Sequence, residues 1–273
     1  MKRMRTCCCL LLLCWLAGLH TAVADDTQIR FLFAYEDREL YPFYAGDGEM
    51  VPVQPGVYIE LIQQVARRHP QLRLELQRMP WKRCLISLME GRVDALVASY
   101  RGERQQNGVY PLLPGQQPPA VTDHRPPPAQ LRISAQTYAL YRHRDAKLDW
   151  NGSAFLDLNG AIGAPRGYSI VDDLRKLGVT VEESDNIYGA LKKLQLKRLA
   201  GVAAFDVVAD QYISHSEFAE LERVATPLVT KDYFLMLSHT FVRDHPAVAQ
   251  ALWQSLAELR EQESAALYRR YLR

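Results

Sequence analysis

The stretch GRVDALVASYRGER, residues 91–104, contains the pattern that decides the fold. Gly91 ends a helical pattern, and the apolar run Ala95–Ser99 that follows predicts a strand buried on both faces. Two arginines, Arg101 and Arg104, come after this strand. A buried strand preceded by an amphipathic helix is typical of a parallel sheet whose faces are covered by helices.

The same alternation extends upstream of Gly91. Residues 29–35 form a compact apolar run, residues 58–66 repeat apolar side chains at helical spacing, and residues 72–76 alternate as in a strand. Residues 81–88 return to helical spacing. The order β-α-β-α-β predicts a first unit built on a parallel sheet.

Downstream, a proline-rich loop over residues 105–130 interrupts this order, and a second αβ series follows. Its predicted strands cover residues 161–164, 179–182 and 202–205, and its predicted helices cover residues 169–177 and 187–196. Extended segments at residues 134–141 and 233–238 flank the series. A terminal amphipathic helix begins after Asp244 and Pro246.

The N-terminal residues predict export. Lys2, Arg3 and Arg5 precede an apolar stretch that ends near residue 18, and Ala22-Val23-Ala24 fits a small-residue cleavage site. The apolar stretch is shorter than the roughly 20 residues that span a bilayer. We therefore expect a signal peptide over residues 1–24, cleaved after Ala24, and a mature protein in the periplasm.

Composition excludes several classes of protein. The formal net charge is +2, and three of the basic residues lie in the predicted signal peptide, so the mature chain is slightly acidic and has no basic field for nucleic acid. Four of the five cysteines also lie in the signal peptide, which leaves Cys84 without an internal disulfide partner. The seven histidines lack metal-like spacing, and we expect no metal and no cofactor.

Several short motifs occur along the chain in a recognisable order. They are Tyr41-Pro42-Phe43, Gly56-Val57-Tyr58-Ile59-Glu60-Leu61, Trp81, Gly91-Arg92-Val93-Asp94-Ala95, Gly102-Glu103-Arg104, Asp157-Leu158-Asn159-Gly160 and Gly167-Tyr168-Ser169. In this order they resemble the family 3 extracellular solute-binding proteins, the receptors of polar amino-acid ABC transporters.

Three further stretches indicate where in that family the resemblance lies. They are Trp150-Asn151-Gly152, Arg166-Gly167-Tyr168-Ser169-Ile170 and Tyr233-Phe234-Leu235-Met236-Leu237-Ser238. These stretches resemble a divergent branch whose members are often not obviously tied to a transporter.

The resemblance implies an α/β, two-lobed periplasmic binding protein type II fold, in which each lobe is a mostly parallel sheet with helices on both faces. Lobe 1 would comprise residues 25–137 and 230–273, and lobe 2 residues 138–229. Ligand would bind in the cleft, and hinge closure would bury it. We expect a monomer.

The anion-binding end of the site is predicted around Arg104. In the family, the arginine of this motif holds a ligand carboxylate, which a planar guanidinium matches with two parallel hydrogen bonds. Arg101 adds a second cation, either for a more anionic ligand or as a surface charge. Tyr168 and Ser169 precede a predicted helix, whose N–H groups attract anions; the alternative role for Ser169 is that of an ordinary helix cap.

The amine-binding end departs from the family. Family members place an Asp after the strand of the second lobe, where it pairs with a ligand ammonium. A gapless register puts Phe205 at that position and Asp206 next to it. With Phe205 there, an α-amino acid would be a poor ligand.

Aromatic side chains are expected to stack on the ligand or to pack in the core. The complete set of candidate ligand-binding residues is Tyr35, Tyr41, Phe43, Trp81, Ser99, Arg101, Arg104, Tyr168, Ser169, Phe205 and Asp206.

The resemblance therefore implies a binding protein and no enzyme: a periplasmic receptor for a small carboxylate-bearing ligand, an amino acid or a related organic acid. Its partner would be an ABC transporter permease or a membrane sensor. The alternative is a dehydratase-like enzyme acting on a prephenate-like dicarboxylic acid, which two arginines would suit. Such an enzyme needs a general acid, for which Glu36 and Glu60 are the candidates.

Cleavage of the signal peptide is directly testable. Mass spectrometry of the protein from the periplasm of its native host is expected to show a chain that begins at Asp25. A chain that retains Met1 and sediments with membranes would contradict export with cleavage.

Overall fold

The structure is a computed structural model and describes residues 28–272 except Pro119 and Val121. The predicted signal peptide lies outside the described residues. Those residues form the following strands and helices: β1 (Ile29–Glu36), α1 (Val57–Arg68), β2 (Leu72–Met79), α2 (Trp81–Met89), β3 (Ala95–Ser99), β4 (Ser134–His143), β5 (Asp149–Trp150), β6 (Phe155–Leu156), β7 (Ile162–Pro165), α3 (Ser169–Lys176), β8 (Val181–Ser184), α4 (Ile187–Gln195), β9 (Gly201–Phe205), α5 (Asp206–Ile213), β10 (Leu221–Arg223), β11 (Val229–Leu237), α6 (His239–Asp244) and α7 (Pro246–Tyr271).

One continuous sheet, with strand order β2-β1-β3-β11-β4-β9-β7-β8, joins both halves of the molecule. β1 is parallel to β2 and β3, and β7 is parallel to β8 and β9. We define lobe 1 by β1–β3 and lobe 2 by β7–β9. The predicted mixed α/β architecture with mostly parallel sheets is confirmed.

Two antiparallel strands, β4 and β11, cross between the lobes. The first half of β11 pairs with β4 from Val229 to Tyr233, and its second half pairs with β3 from Tyr233 to Leu237. β4 pairs with β11 up to Tyr138 and with β9 from Tyr138 onwards. The lobe boundaries at residues 137/138 and 229/230 stay predictions.

The core of lobe 1 covers both faces of its sheet. Alternate residues of β1 point to opposite sides: Phe31 and Phe33 belong to the large cluster that includes α1 and α7, whereas Leu32 and Ala34 pack with Cys84 of α2. This alternation follows from the two-residue period of a strand. A strand buried on both faces reads as a continuous apolar run, which is how β1 appears in the sequence.

Two strand boundaries differ from prediction for local reasons. The strand expected from residue 179 begins at Val181, because the N–H of Val179 still donates to the carbonyl of Leu174 at the end of α3. β11 begins at Val229, four residues before the predicted start. After Val229, the residues Thr230, Lys231 and Asp232 are polar and partly or fully exposed along β4, so the first half of the strand carries no apolar pattern.

None of the described helices combines the length and the apolar character that a membrane crossing requires.

Gly56, at the start of α1, permits a close approach of two backbone segments. Its φ is 105°, and a Cβ atom there would lie 2.3 Å from the carbonyl oxygen of Phe43. Gly48 has a similar φ of 86°, but a Cβ atom there would have no other atom within 4 Å. A comparison of substitutions at these two glycines therefore distinguishes the effect of backbone strain from that of steric overlap.

We expect Gly56→Ala to lower the free energy of unfolding by more than the roughly 1–3 kcal/mol of backbone strain alone. Gly48→Ala is the matched control and is expected to lose only the strain contribution. Urea unfolding of both variants measures the difference. Equal losses would show that the contact with Phe43 relaxes freely.

Candidate functional site

A small cavity lies between the lobes, where the carboxyl ends of β1, β3 and β9 meet. Its volume is about 40 Å³. The carboxyl edge of parallel strands is where open α/β sheets bind ligands. The lining residues are Glu36, Leu40, Phe43, Tyr44, Tyr58, Trp81, Val97, Ser99, Arg104, Gln136, Tyr168, Ser169, Phe205 and Tyr233.

Arg104 supplies the cavity's positive charge. It lies in a short 3₁₀ turn after β3 and is 8% exposed. Its Nη1 donates to the hydroxyl of Ser99 at 2.8 Å and to the carbonyl of Ser99 at 3.1 Å, and its guanidinium lies 5.6 Å from the Trp81 ring centroid. Within the described part of the chain, no carboxylate forms an ion pair with this buried guanidinium.

Glu36, the last residue of β1, supplies an acid in the same cavity. Its carboxylate accepts a hydrogen bond from the hydroxyl of Tyr168, which reaches across from lobe 2. Burial raises the pKa of Glu36 to about 7, and the hydrogen bond from Tyr168 acts in the opposite direction. Near neutral pH, this side chain therefore accepts or donates hydrogen bonds according to its protonation.

Aromatic rings form most of the remaining wall, and Phe205 lies among them. Its ring centroid is 4.5 Å from that of Tyr138 and 5.7 Å from those of Tyr168 and Tyr233. Asp206 points elsewhere: its carboxylate accepts from the N–H of Val207 and lies outside the cavity lining. Phe205 therefore lines the cavity, and Asp206 does not.

Seven of the eleven candidate residues line the cavity together. They are Phe43, Trp81, Ser99, Arg104, Tyr168, Ser169 and Phe205.

The other four candidates do not line the cavity. Tyr35 is buried beneath Tyr44 and Arg78, and the hydroxyl of Tyr41 donates to the carbonyl of Tyr271. Arg101 forms an ion pair with Asp172 of lobe 2. Asp206 lies 3.9 Å from Arg223 at the surface. Tyr41, Arg101 and Asp206 thus interact with other protein groups, whereas the buried hydroxyl of Tyr35 has no hydrogen-bond partner among the described residues.

Several lining residues were missing from the sequence-based set. Tyr58 and Tyr233 lie in stretches that resemble the family but were not named as candidates. Tyr44 and Gln136 carry no motif, although a glutamine inside a buried strand is an unusual polar signal. Glu36 was named only as an acid for the enzyme alternative. The other such acid, Glu60, lies away from the cavity, where it accepts from the hydroxyl of Tyr271 and pairs with Arg270.

Across the described residues, no group of three or more His, Cys, Asp or Glu side chains is arranged to hold a metal ion. The cavity has a basic and an acidic side chain at Arg104 and Glu36, further polar groups at Ser99, Ser169 and Gln136, and a wall that is otherwise mostly aromatic. The unpaired guanidinium of Arg104 gives this wall a group that attracts anions.

Comparison with solved structures supports the predicted fold. The chain is similar to a histidine kinase sensor domain described as similar to periplasmic binding proteins, with 17% identity, a TM-score of 0.67 and coverage of 90% of this chain and 97% of that chain. It is also similar to the GluR0 ligand-binding core from Nostoc punctiforme in complex with L-glutamate, at 19% identity, TM-score 0.64 and coverage of 89% and 98%. A third similar structure is the substrate-binding protein of an amino acid ABC transporter, with 15% identity, a TM-score of 0.63 and coverage of 89% of this chain and 98% of that chain.

These similarities confirm the two-lobed periplasmic binding protein fold, and with it the resemblance to solute-binding proteins at the level of fold. The low identities fit the divergence seen in the motifs. No family model matches the chain, and no curated protein matches it.

The raised pKa of Glu36 predicts a pH dependence of stability. Between its ordinary value of 4.5 and about 7, the folded carboxyl binds more protons than the unfolded one, so the free energy of unfolding falls as pH rises through this window. The full effect is roughly 3 kcal/mol. We expect Glu36→Gln to lack this contribution to the decrease in the free energy of unfolding between pH 5 and pH 8.

Urea unfolding of wild type and Glu36→Gln at both pH values measures this difference. The exposed Glu90, paired with Arg92, provides the control Glu90→Gln, which is expected to leave the wild-type difference in place. An unchanged pH dependence in Glu36→Gln would mean that the carboxyl is solvated.

Proposed function

We propose that this protein is a periplasmic solute-binding protein for a small ligand that presents a carboxylate to Arg104. The observation that carries the proposal is the buried guanidinium of Arg104, which faces the cavity and has no acidic partner in the described chain. A buried charge without a counter-charge is costly. A ligand carboxylate supplies that counter-charge.

The hydrogen bonding of Arg104 suits a carboxylate. Both bonds that it makes to described residues start from Nη1 and go to Ser99, which holds the guanidinium in place. Its Nη2 and Nε donate to no described residue, so both remain for a two-bond contact with a ligand carboxylate. The hydroxyls of Ser99 and Ser169, which are 3.2 Å apart, add polar groups at the same end of the cavity.

The far end of the ligand meets Phe205 and Glu36. Because Phe205 replaces the expected carboxylate, an α-ammonium group is not required there. Glu36 accepts a hydrogen bond from a cationic group when it is ionised and donates one to a ligand oxygen when it is protonated. Amino acids and related organic acids therefore both belong to the proposed ligand class.

The proposed partner is an ABC transporter permease or a membrane sensor. Among the similar structures, one belongs to an amino acid ABC transporter and another to a histidine kinase. Export to the periplasm and a monomeric state are part of the proposal.

The cavity offers less support for the dehydratase alternative. A prephenate-like dicarboxylic acid calls for two cations, but Arg104 lines the cavity and Arg101 is paired with Asp172 outside it. Glu36 alone meets the requirement for a general acid with a pKa near neutrality. Binding without turnover is therefore the function that the site favours.

The proposal predicts how substitutions change the binding of a ligand. The ligand is first found by thermal-shift screening of amino acids, dicarboxylic acids and keto acids. Arg104→Ala is expected to lose roughly 2–5 kcal/mol of binding free energy by calorimetry, the scale for removing one partner of a buried charged pair.

Asp206→Ala is the matched control, because it removes a charge next to the cavity without changing its lining. It is expected to bind within a few-fold of wild type. If Asp206→Ala abolishes binding of an ordinary amino acid and Arg104→Ala is tolerated, both the site and the ligand class are wrong.

A further inference from the structure

The segment of residues 167–173, which contains the start of α3 and is called here the α3 segment, contacts lobe 1 across the cavity. The indole Nε1 of Trp81 donates to the carbonyl of Gly167 at 3.2 Å. The hydroxyl of Tyr168 donates to Glu36. Lobe 2 is therefore in direct contact with lobe 1 at the strand ends that line the cavity.

Two adjacent acids at the end of the α3 segment each meet a cation from elsewhere in the fold. Asp172 pairs with Arg101, which follows β3 of lobe 1, and Asp173 pairs with Lys231 on the crossing strand β11. Lys231 also donates to the hydroxyl of Ser169 at 2.9 Å. The segment is thus tied both to lobe 1 and to the crossing region.

The cations of these pairs are well shielded from solvent. The side chain of Arg101 is 16% exposed and that of Lys231 is 13% exposed, whereas Asp172 is 46% exposed. Partial burial weakens screening by water and salt, so such pairs hold more strongly than pairs at the open surface.

Tyr168 fills space that a ligand would need. Its ring lies against Phe205, and its hydroxyl donates a hydrogen bond to the carboxylate of Glu36. The remaining cavity of about 40 Å³ has room for about three water molecules, since each needs roughly 10–15 Å³ on this measure. The closed arrangement described here therefore has no room for an amino acid or a comparable organic acid.

We propose that the ligand-free protein closes on itself, with Tyr168 in the place of the ligand and the Arg101–Asp172 ion pair holding the lobes together. Ligand entry then requires that this pair break and that Tyr168 leave the cavity. A closed, occluded population lowers the observed affinity in proportion to the fraction of open molecules. The closure is tested without any ligand, so its failure is distinct from failure of the proposed function.

The first test is small-angle X-ray scattering of the ligand-free full chain. Wild type is expected to have the small radius of gyration of a closed molecule at about 0.05 M NaCl, and Arg101→Gln a larger one. The charge-swapped double variant Arg101→Asp with Asp172→Arg is expected to restore the small value, which a folding defect would not do.

The control is Arg68→Gln. Arg68 pairs with Glu258 within lobe 1, so this variant removes an arginine without affecting the contact between the lobes. It is expected to scatter like wild type. A wild type that is already open, or an Arg101→Gln radius equal to that of wild type, would overturn the proposed closure by the ion pair.

The second test uses phenol as a probe of the space filled by Tyr168. Truncation to Tyr168→Ala leaves a cavity of phenol size beside Phe205 and Glu36, and such engineered cavities bind aromatic molecules. Phenol is expected to raise the melting temperature of Tyr168→Ala and to leave wild type and Tyr188→Ala unchanged, since Tyr188 is exposed on α4. No shift in Tyr168→Ala would show that its ring does not occupy the cavity.

Discussion

The crossing of β4 and β11 is the constraint on which the rest of the structure depends. Each strand changes its neighbour partway along its length, β4 at Tyr138 and β11 at Tyr233, so hydrogen-bonded backbone runs without interruption from one lobe to the other. The hydroxyls of these two tyrosines lie 3.1 Å apart, and both rings contact Phe205. The cavity lies at this crossing because the parallel strands of each lobe end there.

The parallel strands were well predicted because their signal is local. β3 was predicted to the residue as Ala95–Ser99, since an unbroken apolar run after Gly91 has few other interpretations. The crossing strands were harder. The polar first half of β11 is held by pairing with β4, about ninety residues earlier in the chain, and no short-range pattern reports such a pairing.

The residues of the candidate site likewise differ in whether a local sequence pattern could identify them. Arg104, Ser99 and Phe205 follow or end parallel strands, so strand ends and family motifs were sufficient to find them. Tyr44 and Gln136 line the cavity because of how the lobes meet, and their sequence neighbours do not indicate it.

Arg101 shows the converse case. A second arginine three residues from Arg104 suggested a second ligand contact, but the pleat and the turn that follow β3 direct the two side chains to different partners. Arg101 meets Asp172, seventy-one residues further along, whereas Arg104 turns back onto Ser99. Charge alone does not distinguish a cation that binds ligand from one that joins two lobes; the presence of a protein counter-charge does.

The absence of a protein counter-charge at Arg104 also bears on Glu36, which lines the same cavity. Arg104 lacks an acidic partner, and Glu36 is uncharged for a large part of the population near neutral pH because burial raises its pKa. A ligand carboxylate placed at Arg104 adds a like charge to the cavity and favours the protonated form of Glu36, whereas a ligand ammonium favours the ionised form. In the proposed function, Glu36 therefore takes over the pairing with a ligand ammonium that Phe205 cannot make, and a ligand without an ammonium leaves Glu36 largely protonated.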